Sequence, residues 1–179
     1  MFNANTSHLP FHENAENTRK AVEMARKTGA AVEGELGKIP GSEGRFDVEE
    51  DSQTDPDEAA EYVRLTGIDA LAVAIGSAHG FYTKAPCLNI SRLKEISEKV
   101  SIPIVLHGGT GIDDQQIRRS IENGIAKVNI CTEFVAAFGR QYVYTQNTPG
   151  FKYSVPSLFA PSVLEGKAVV RDKIKLFGG

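Results

Sequence analysis

The chain has 179 residues, with 20 lysines and arginines against 23 aspartates and glutamates, so its formal net charge is -3 at pH 7. Hydrophobic residues make up 41% and charged residues 24% of the chain, which excludes the collagen-like, disordered and disulfide-scaffold classes. The mildly acidic balance argues against nucleic-acid binding, and no apolar run is long enough to predict a membrane span.

The predicted elements alternate between strand and helix along the chain. Five apolar runs rich in small residues predict strands, at residues 1–5, 30–37, 70–76, 104–109 and 126–132. A helical period follows each of them, at residues 13–28, 56–66, 90–100, 113–123 and 133–144. This repeating order predicts an α/β fold with a parallel sheet.

Strand composition and helix ends agree with parallel pairing. The runs ALAVAIG and PIVLHGG do not alternate apolar with polar residues, so both faces of these strands are expected to be covered. Pro56 follows Asp55 at a predicted helix start, and three glycines occupy expected C-terminal caps, namely Gly29, Gly67 and Gly124.

Longer segments interrupt this regular alternation. The loops at 38–55 and 77–89 follow predicted strands, and long loops at such places are candidates for binding segments. Residues 145–162 contain three prolines and are predicted as a meander before a final helix at 163–177. Since no linker or repeat separates these parts, we predict one domain over residues 1–179, with the meander and helix at its C-terminal end.

The two cysteines bear on the compartment. Cys87 and Cys131 lie far apart in a chain that lacks an N-terminal export signal. We therefore expect two thiols rather than a disulfide, and a cytoplasmic protein.

Two of the four histidines lie near the C-terminal ends of neighbouring predicted strands. His79 stands in AIGSAHGFY and His107 in IVLHGGTG, and a glycine follows each. Imidazole is a frequent zinc ligand, and side chains from adjacent parallel strands can converge on one ion. A single histidine at a strand end is more often structural, but two in one register favour a metal site. His8 and His12 are interpreted as a loop residue and a helix-start residue.

Two carboxylates lie on one face of the second predicted strand. Glu33 and Glu35 alternate with Val32 and Gly34, so both side chains point to the same side. Buried carboxylates need a partner, which a metal or a cationic substrate site would supply. A salt bridge across the interior is the alternative.

A glycine-rich turn follows His107. The sequence GGTG precedes the helix predicted to start at Asp113, and backbone donors near a helix N-terminus can receive phosphate oxygens. Such turns are also simply tight turns, and both interpretations stay open. Asn129 and Thr132 precede the next helix, and if these are the last two strands of a barrel they occupy its usual phosphate position.

Five ordered motifs together carry a family resemblance. With SHLPF, VEGELG, DALAVAIGSAHGFY, IVLHGGTGI and AKVNICTE in this order and spacing, the chain resembles the class II, zinc-dependent fructose- and tagatose-bisphosphate aldolases. The tail, FKYSVPSLFAPS followed by VRDKIKLFG, is similar too. The resemblance extends across essentially the whole chain.

The resemblance implies a (β/α)8 barrel, of the TIM-barrel type, that binds one catalytic Zn²⁺. In it His79 and His107 match zinc ligands, and Glu35 matches a residue that contributes to metal binding in some members. Glu43 matches a loop carboxylate linked to proton transfer, and Asn129 matches a catalytic position. The residues that match the groups holding dihydroxyacetone phosphate are Gly80, Gly108, Gly109, Thr110, Asn129, Ile130, Cys131 and Thr132.

The reaction implied by the resemblance is that of a lyase. A ketose 1,6-bisphosphate is cleaved to, or formed from, dihydroxyacetone phosphate and an aldehyde, glyceraldehyde 3-phosphate. Zinc stabilises the ene-diolate, so no lysine Schiff base is required. The complete enzyme is expected to be a homo-oligomer, a dimer or tetramer. Fructose and tagatose bisphosphates stay open as substrates.

The sequence departs from the family in two ways. A whole barrel needs eight βα units and about 250 residues, whereas five strands are predicted here. About three units, roughly 90 residues, are expected upstream, including an Asp-His pair whose histidine is the third zinc ligand. Asn3 or Asn5 stands where the family carries an aspartate, which weakens the case for an additional metal site.

Three functional interpretations follow. The chain is an aldolase polypeptide that is inactive alone, or a non-catalytic half-barrel that binds phosphate or associates with another chain. A different phosphate-binding barrel, such as an isomerase, would explain the glycine turns but not the two histidines and VEGELG.

Overall fold

The computed structural model of the chain describes residues 1–39, 41, 53–82 and 85–178. Strands and helices alternate through the first five pairs, as predicted. The strands are β1 (Phe2–Ala4), β2 (Val32–Leu36), β3 (Ala70–Val73), β4 (Ile104–Leu106) and β5 (Ile125–Val128). The helices are α1 (Phe11–Arg26), α2 (Pro56–Thr66), α3 (Ile90–Lys99), α4 (Asp114–Glu122), α5 (Thr132–Gln146) and α6 (Val155–Leu176).

The five strands form one parallel sheet in chain order, from β1 to β5. Every residue of β2, β3 and β4 is buried, which confirms that strands without polar alternation are covered on both faces. One face carries the small buried residues Ala70, Ala72 and Val105. The α/β fold with a parallel sheet is therefore confirmed.

The helix boundaries follow the local signals in the sequence. Asp55 caps α2, because its carboxylate accepts hydrogen bonds from the backbone N–H groups of Asp57 and Glu58. Gly67 ends this helix in the left-handed conformation, with a φ of 67°, as predicted for a C-terminal cap. Gly29 and Gly124 also have positive φ just after their helices.

The predicted meander at 145–162 is wrong in its second half, because α6 begins at Val155. Ser154 and Ser157 form a capping box there, and Pro156 lies in the first turn, where a missing N–H costs little. Pro161 lies inside the helix and supplies no N–H for an internal hydrogen bond. Prolines alone were therefore a misleading signal for a loop.

The chain divides into two compact units, Met1–Asn129 and Ile130–Gly179. The first contains the sheet with α1 to α4, and the second contains α5 and α6. Within the second unit Gly166 lies against the ring of Phe134, where an added Cβ would come within 2.5 Å of a ring carbon. The single domain expected over the whole chain stays a prediction. Among the described helices, none is both long and apolar enough to cross a membrane.

Candidate metal centre

Three predicted metal ligands come together at the C-terminal edge of the sheet. Glu35 lies in β2, His79 in the loop after β3, and His107 directly after β4. These strands are parallel neighbours, so their carboxyl ends meet at one edge. One ligand atom from each residue lies within 4.8 Å of the other two. The two imidazole rings are 5.8 Å apart, centroid to centroid.

Two buried carboxylates of β2 hold the ring of His107. Its Nε2 lies 2.8 Å from Oε1 of Glu33, and its Nδ1 lies 2.9 Å from Oε2 of Glu35. Lys127 of β5 donates from Nζ to the other oxygen of Glu33, at 2.7 Å. Glu33 therefore forms the salt bridge across the interior, which was one of the two alternatives for these carboxylates, while Glu35 lies in the group of ligand atoms.

The loop after β1 supports Glu35 from the other side. The Ser7 hydroxyl donates to Oε1 of Glu35 at 2.6 Å, and the Asn5 amide approaches Oε2 at 3.5 Å. The Asn14 amide of α1 donates to the backbone carbonyl of Glu35 at 2.9 Å. Residues of the SHLPF region thus fix the direction of the Glu35 carboxylate, and Asn5 does so as a neutral donor rather than as an acidic ligand.

The charges in this cluster support one another. Burial disfavours the charged imidazole, but hydrogen bonds and negative charge from Glu33 and Glu35 outweigh burial and raise the pKa of His107 to about 9. Burial also opposes ionisation of Glu33, yet hydrogen bonds from His107 and Lys127 lower the pKa of that carboxyl. In the absence of a metal ion, the cluster therefore favours a protonated His107 at neutral pH.

With a chelator present, we expect the free energy of unfolding to decrease as the pH rises from about 6.5 to about 9. The pKa of His107 is raised from 6.5 to about 9 on folding, so its stabilisation is complete below pH 6.5 and lost as pH rises through 9. The shift corresponds to about 3 kcal/mol. Urea unfolding across this range measures the slope. His107→Gln should remove the slope, and a flat wild-type profile would contradict the charge assignment.

Two loops that carry the histidines are held in close contact. The Tyr82 hydroxyl accepts a hydrogen bond from the Ala78 N–H at 2.8 Å and donates one to the Gly108 carbonyl at 2.9 Å. Gly108 has a φ of +69°, and an added Cβ would lie 2.1 Å from the Ala78 carbonyl oxygen. Only glycine fits at this point, so the spacing between the loops of His79 and His107 depends on Gly108.

The predicted phosphate turn lies beside the end of β5. The Gly109 N–H donates to the Asn129 carbonyl at 3.2 Å, and the Asn129 N–H donates to the Leu106 carbonyl at 2.9 Å. The Gly109 N–H is thus already hydrogen-bonded within the protein. Thr110 is buried. Gly80 has a φ of +94° with open space around an added Cβ. Phosphate binding by these residues stays a prediction.

Further predicted site residues lie in the second compact unit or outside the described residues. Ile130 and Cys131 open the second compact unit, and Thr132 begins α5. Their role in substrate binding stays a prediction. Glu43 lies outside the described residues. Cys87 and Cys131 are both exposed, and their redox state stays a prediction.

Sequence reasoning missed three residues that shape the site, namely Ser7, Tyr82 and Lys127. Their contacts join residues 28, 26 and 94 positions apart, and no local pattern indicates such pairs. Lys127 carried one weak signal, since a lysine inside a strand needs either solvent or an acidic partner. Glu33, the acidic partner, had already been identified as a buried carboxylate in need of one.

The residues present fit a zinc-type ion. Two imidazoles and a carboxylate are suitable donors, and in the tetrahedral geometry of zinc, bonds of about 2.1 Å place two ligand atoms about 3.4 Å apart. Ligand atoms that lie within 4.8 Å of one another would close by at most about 1.4 Å. A fourth position would remain for a further ligand or substrate.

Comparison with known proteins gives one family and several solved structures. The family described as fructose-bisphosphate aldolase class-II matches residues 1–179. The YdjI aldolase from Escherichia coli K12 is 40% identical with a TM-score of 0.81, and the match covers 97% of this chain and 59% of that one. A candidate fructose-1,6-bisphosphate aldolase from Coccidioides immitis is 30% identical with a TM-score of 0.82, over 96% of this chain and 60% of its own.

A third structure adds information on the fold alone. The fructose-bisphosphate aldolase from Campylobacter jejuni is 23% identical with a TM-score of 0.64, and the match covers 95% of this chain and 57% of that chain. The chain thus spans about 60% of the length of the structures it matches. The five parallel strands confirm the predicted partial (β/α) barrel.

Proposed function

Because the chain belongs to the class II fructose-bisphosphate aldolase family, we propose that it forms the metal-binding part of a zinc-dependent aldehyde-lyase. The enzyme cleaves a ketose 1,6-bisphosphate to dihydroxyacetone phosphate and glyceraldehyde 3-phosphate, or forms the bisphosphate from these two compounds. The observation that supports this best is the group of Glu35, His79 and His107 at neighbouring strand ends.

Each part of the site has a distinct task in this proposal. Glu35, His79 and His107 hold the ion, which when bound supplies a Lewis acid for the negative charge that develops as the C3–C4 bond breaks. Gly80, the turn Gly108 to Thr110 and residues 129–132 bind the phosphate and hydroxyls of dihydroxyacetone phosphate.

Proton transfer and substrate choice complete the proposal. Glu43, which follows β2 in the sequence, moves a proton at the aldehyde-side hydroxyl, and Asn129 orients the reacting part of the substrate. The third histidine ligand comes from a segment outside this chain, so the chain alone is inactive. The complete enzyme is a cytoplasmic homo-oligomer. Fructose and tagatose bisphosphates are both retained as substrates.

A second candidate function is association of a non-catalytic half-barrel with another chain. An apolar cavity of about 310 Å³ lies between β1 and α1, lined by Phe2, Ala21, Met24, Ala25, Thr28 and Ala30. Phe2 and Met24 are more than half exposed there. Since β1 is also the last strand on its side of the sheet, this edge favours a further βα unit as neighbour.

Reconstitution separates the two functions. We expect the chain alone to cleave neither fructose nor tagatose 1,6-bisphosphate, and to gain cleavage when produced together with the part of E. coli YdjI that lies outside the matched region. Release of glyceraldehyde 3-phosphate and zinc content by mass spectrometry are the measurements. The same mixture with His79→Ala should stay inactive.

Either of two outcomes would change the proposal. Activity of the chain alone would mean that a residue within it, such as His8, completes the ligand set. A reconstituted complex that binds zinc but cleaves neither substrate would leave the half-barrel as the better description.

A further inference from the structure

Glu33 contacts a proposed metal ligand without belonging to the ligand group. Its Oε1 lies 2.8 Å from Nε2 of His107, and its side chain is 1% exposed. The group of ligand atoms contains Glu35 but not Glu33. The two carboxylates lie two residues apart on β2, so Glu33 is about 6–7 Å deeper along the strand than Glu35. It faces the ring edge of His107 opposite to the one that faces Glu35.

The contacts of both ring nitrogens together indicate which nitrogen of His107 can bind a metal. A neutral imidazole carries one N–H and one lone pair, and the hydrogen bond made by one nitrogen fixes the role of the other. An ionised carboxylate can only accept, so Glu33 requires a proton on Nε2. In the metal-free protein the Glu35 carboxylate makes the same demand on Nδ1, at 2.9 Å. Because Glu35 belongs to the group of ligand atoms and Glu33 does not, a bound ion would take the place of the Nδ1 proton, while Glu33 keeps the proton on Nε2.

We propose that Glu33 is a positioning residue that holds His107 in the Nε2–H form for metal binding through Nδ1, and that Lys127 holds Glu33 in place. This inference rests on the proposed metal role of His107. Carboxylates that accept a hydrogen bond from the non-ligating nitrogen of a metal-bound histidine orient the imidazole and increase its basicity.

The position of Lys127 depends on an irregularity in the sheet. Ile125 pairs with Ile104, but Lys127 pairs with Val105, so Ala126 is an extra residue in β5. Without it, strand alternation would turn Lys127 to the opposite face. The bulge therefore places the Lys127 amine on the face that carries Val105, Glu33 and His107.

Small side chains on the intervening strands leave space for the contact. Ala70 pairs with Glu33, and Ala72 pairs with both Glu35 and Val105 on the same face. Lys127 reaches over β3 and β4 to donate to Oε2 of Glu33 at 2.7 Å. Each oxygen of Glu33 thus has one partner, which a buried carboxylate requires.

Zinc affinity of the Glu33→Gln variant tests the proposal. We expect zinc binding to the full chain, measured by competition with a chelating dye, to weaken about 10- to 100-fold. Glu61→Gln is the matched control, because it removes an equal charge from an exposed position of α2 and should keep the affinity of the wild type. Equal affinity in Glu33→Gln and wild type would overturn the proposal.

Lys127 should act through Glu33 and not directly. We expect Lys127→Met to weaken zinc binding by less than Glu33→Gln does, and Lys127→Arg to retain most of the affinity. In the double variant, the loss should equal that of Glu33→Gln alone, because Lys127 then has no carboxylate to hold. Fully additive losses would contradict this order.

The tautomer of His107 can be measured in the wild-type protein. If Glu33 formed only a structural ion pair, it would not determine which nitrogen carries the proton in the zinc-loaded protein. Long-range ¹H–¹⁵N spectra of the zinc-loaded chain should show the proton on Nε2 and zinc on Nδ1; a proton on Nδ1 would overturn the proposal. If neither the wild-type chain nor its reconstituted complex binds zinc, the proposed metal function fails. In the metal-free chain at about pH 10, above the His107 pKa of about 9, Glu33→Gln should still shift the imidazole proton from Nε2 towards Nδ1, and an unchanged tautomer would overturn the role of Glu33 independently of zinc.

Discussion

Replacing His107 with alanine is expected to abolish zinc retention by the chain. The variant removes one of the three grouped ligands. Zinc affinity should therefore decrease by more than the roughly 100-fold that results from replacing a residue that only supports a ligand. It also leaves Glu33 and Glu35 without their shared imidazole, which costs about 3–5 kcal/mol of the free energy of unfolding. Zinc titration and urea unfolding measure the two effects separately.

His79→Ala separates ligand loss from destabilisation. His79 lies in a loop and is only partly buried, so its removal should weaken zinc binding with less effect on unfolding. His12→Ala is the control, because it deletes an exposed imidazole of α1 outside the ligand group. Zinc bound at full stoichiometry in both His79→Ala and His107→Ala would remove the metal assignment.

Replacing Gly108 with alanine is expected to lower the free energy of unfolding more than any other glycine-to-alanine replacement in this region. The added Cβ would meet the Ala78 carbonyl oxygen at 2.1 Å, and φ is +69°. The left-handed conformation costs about 1–2 kcal/mol for alanine, and forcing two backbone segments apart adds about 1–3 kcal/mol. Because those segments carry His79 and His107, zinc affinity should decrease together with stability.

Gly29 provides a matched control for the backbone conformation. Its φ is +70°, and no heavy atom lies within 4 Å of an added Cβ. Gly29→Ala should therefore cost only the conformational part, about 1–2 kcal/mol, and should leave zinc affinity unchanged. Equal unfolding free energies for the two variants would mean that the loops of His79 and His107 can separate freely at Gly108.

The local elements of this fold could be predicted from sequence because their signals are local. Asp55 with Pro56 indicated the start of α2, and Gly67 indicated its end, since capping depends on residues a few positions apart. The uniform apolar character of β3 and β4 indicated parallel strands covered on both faces. The same reasoning failed at Pro156, because the capping box at Ser154 starts a helix that accepts proline in its first turn, and at Pro161, which lies inside that helix.

The edge of the sheet at which the candidate ligands meet was also predictable. Glu35, His79 and His107 each lie at or just beyond the C-terminal end of a strand, and parallel strands bring such residues together in any sheet of this kind. The family resemblance added the chemistry, which strand positions alone do not specify.

The partners of these ligands were decided only by the tertiary structure. One extra residue in β5 sets the face on which Lys127 lies. The close packing of Gly108 against the Ala78 carbonyl sets the distance between the loops of His79 and His107. The contact of Lys127 with Glu33 spans 94 residues. Sequence determined the alternation of strands and helices along the chain and the position of the candidate ligands near strand ends, because these depend on short-range periodicity. Register and close approach depend on how distant strands pack, and only the folded chain fixes them.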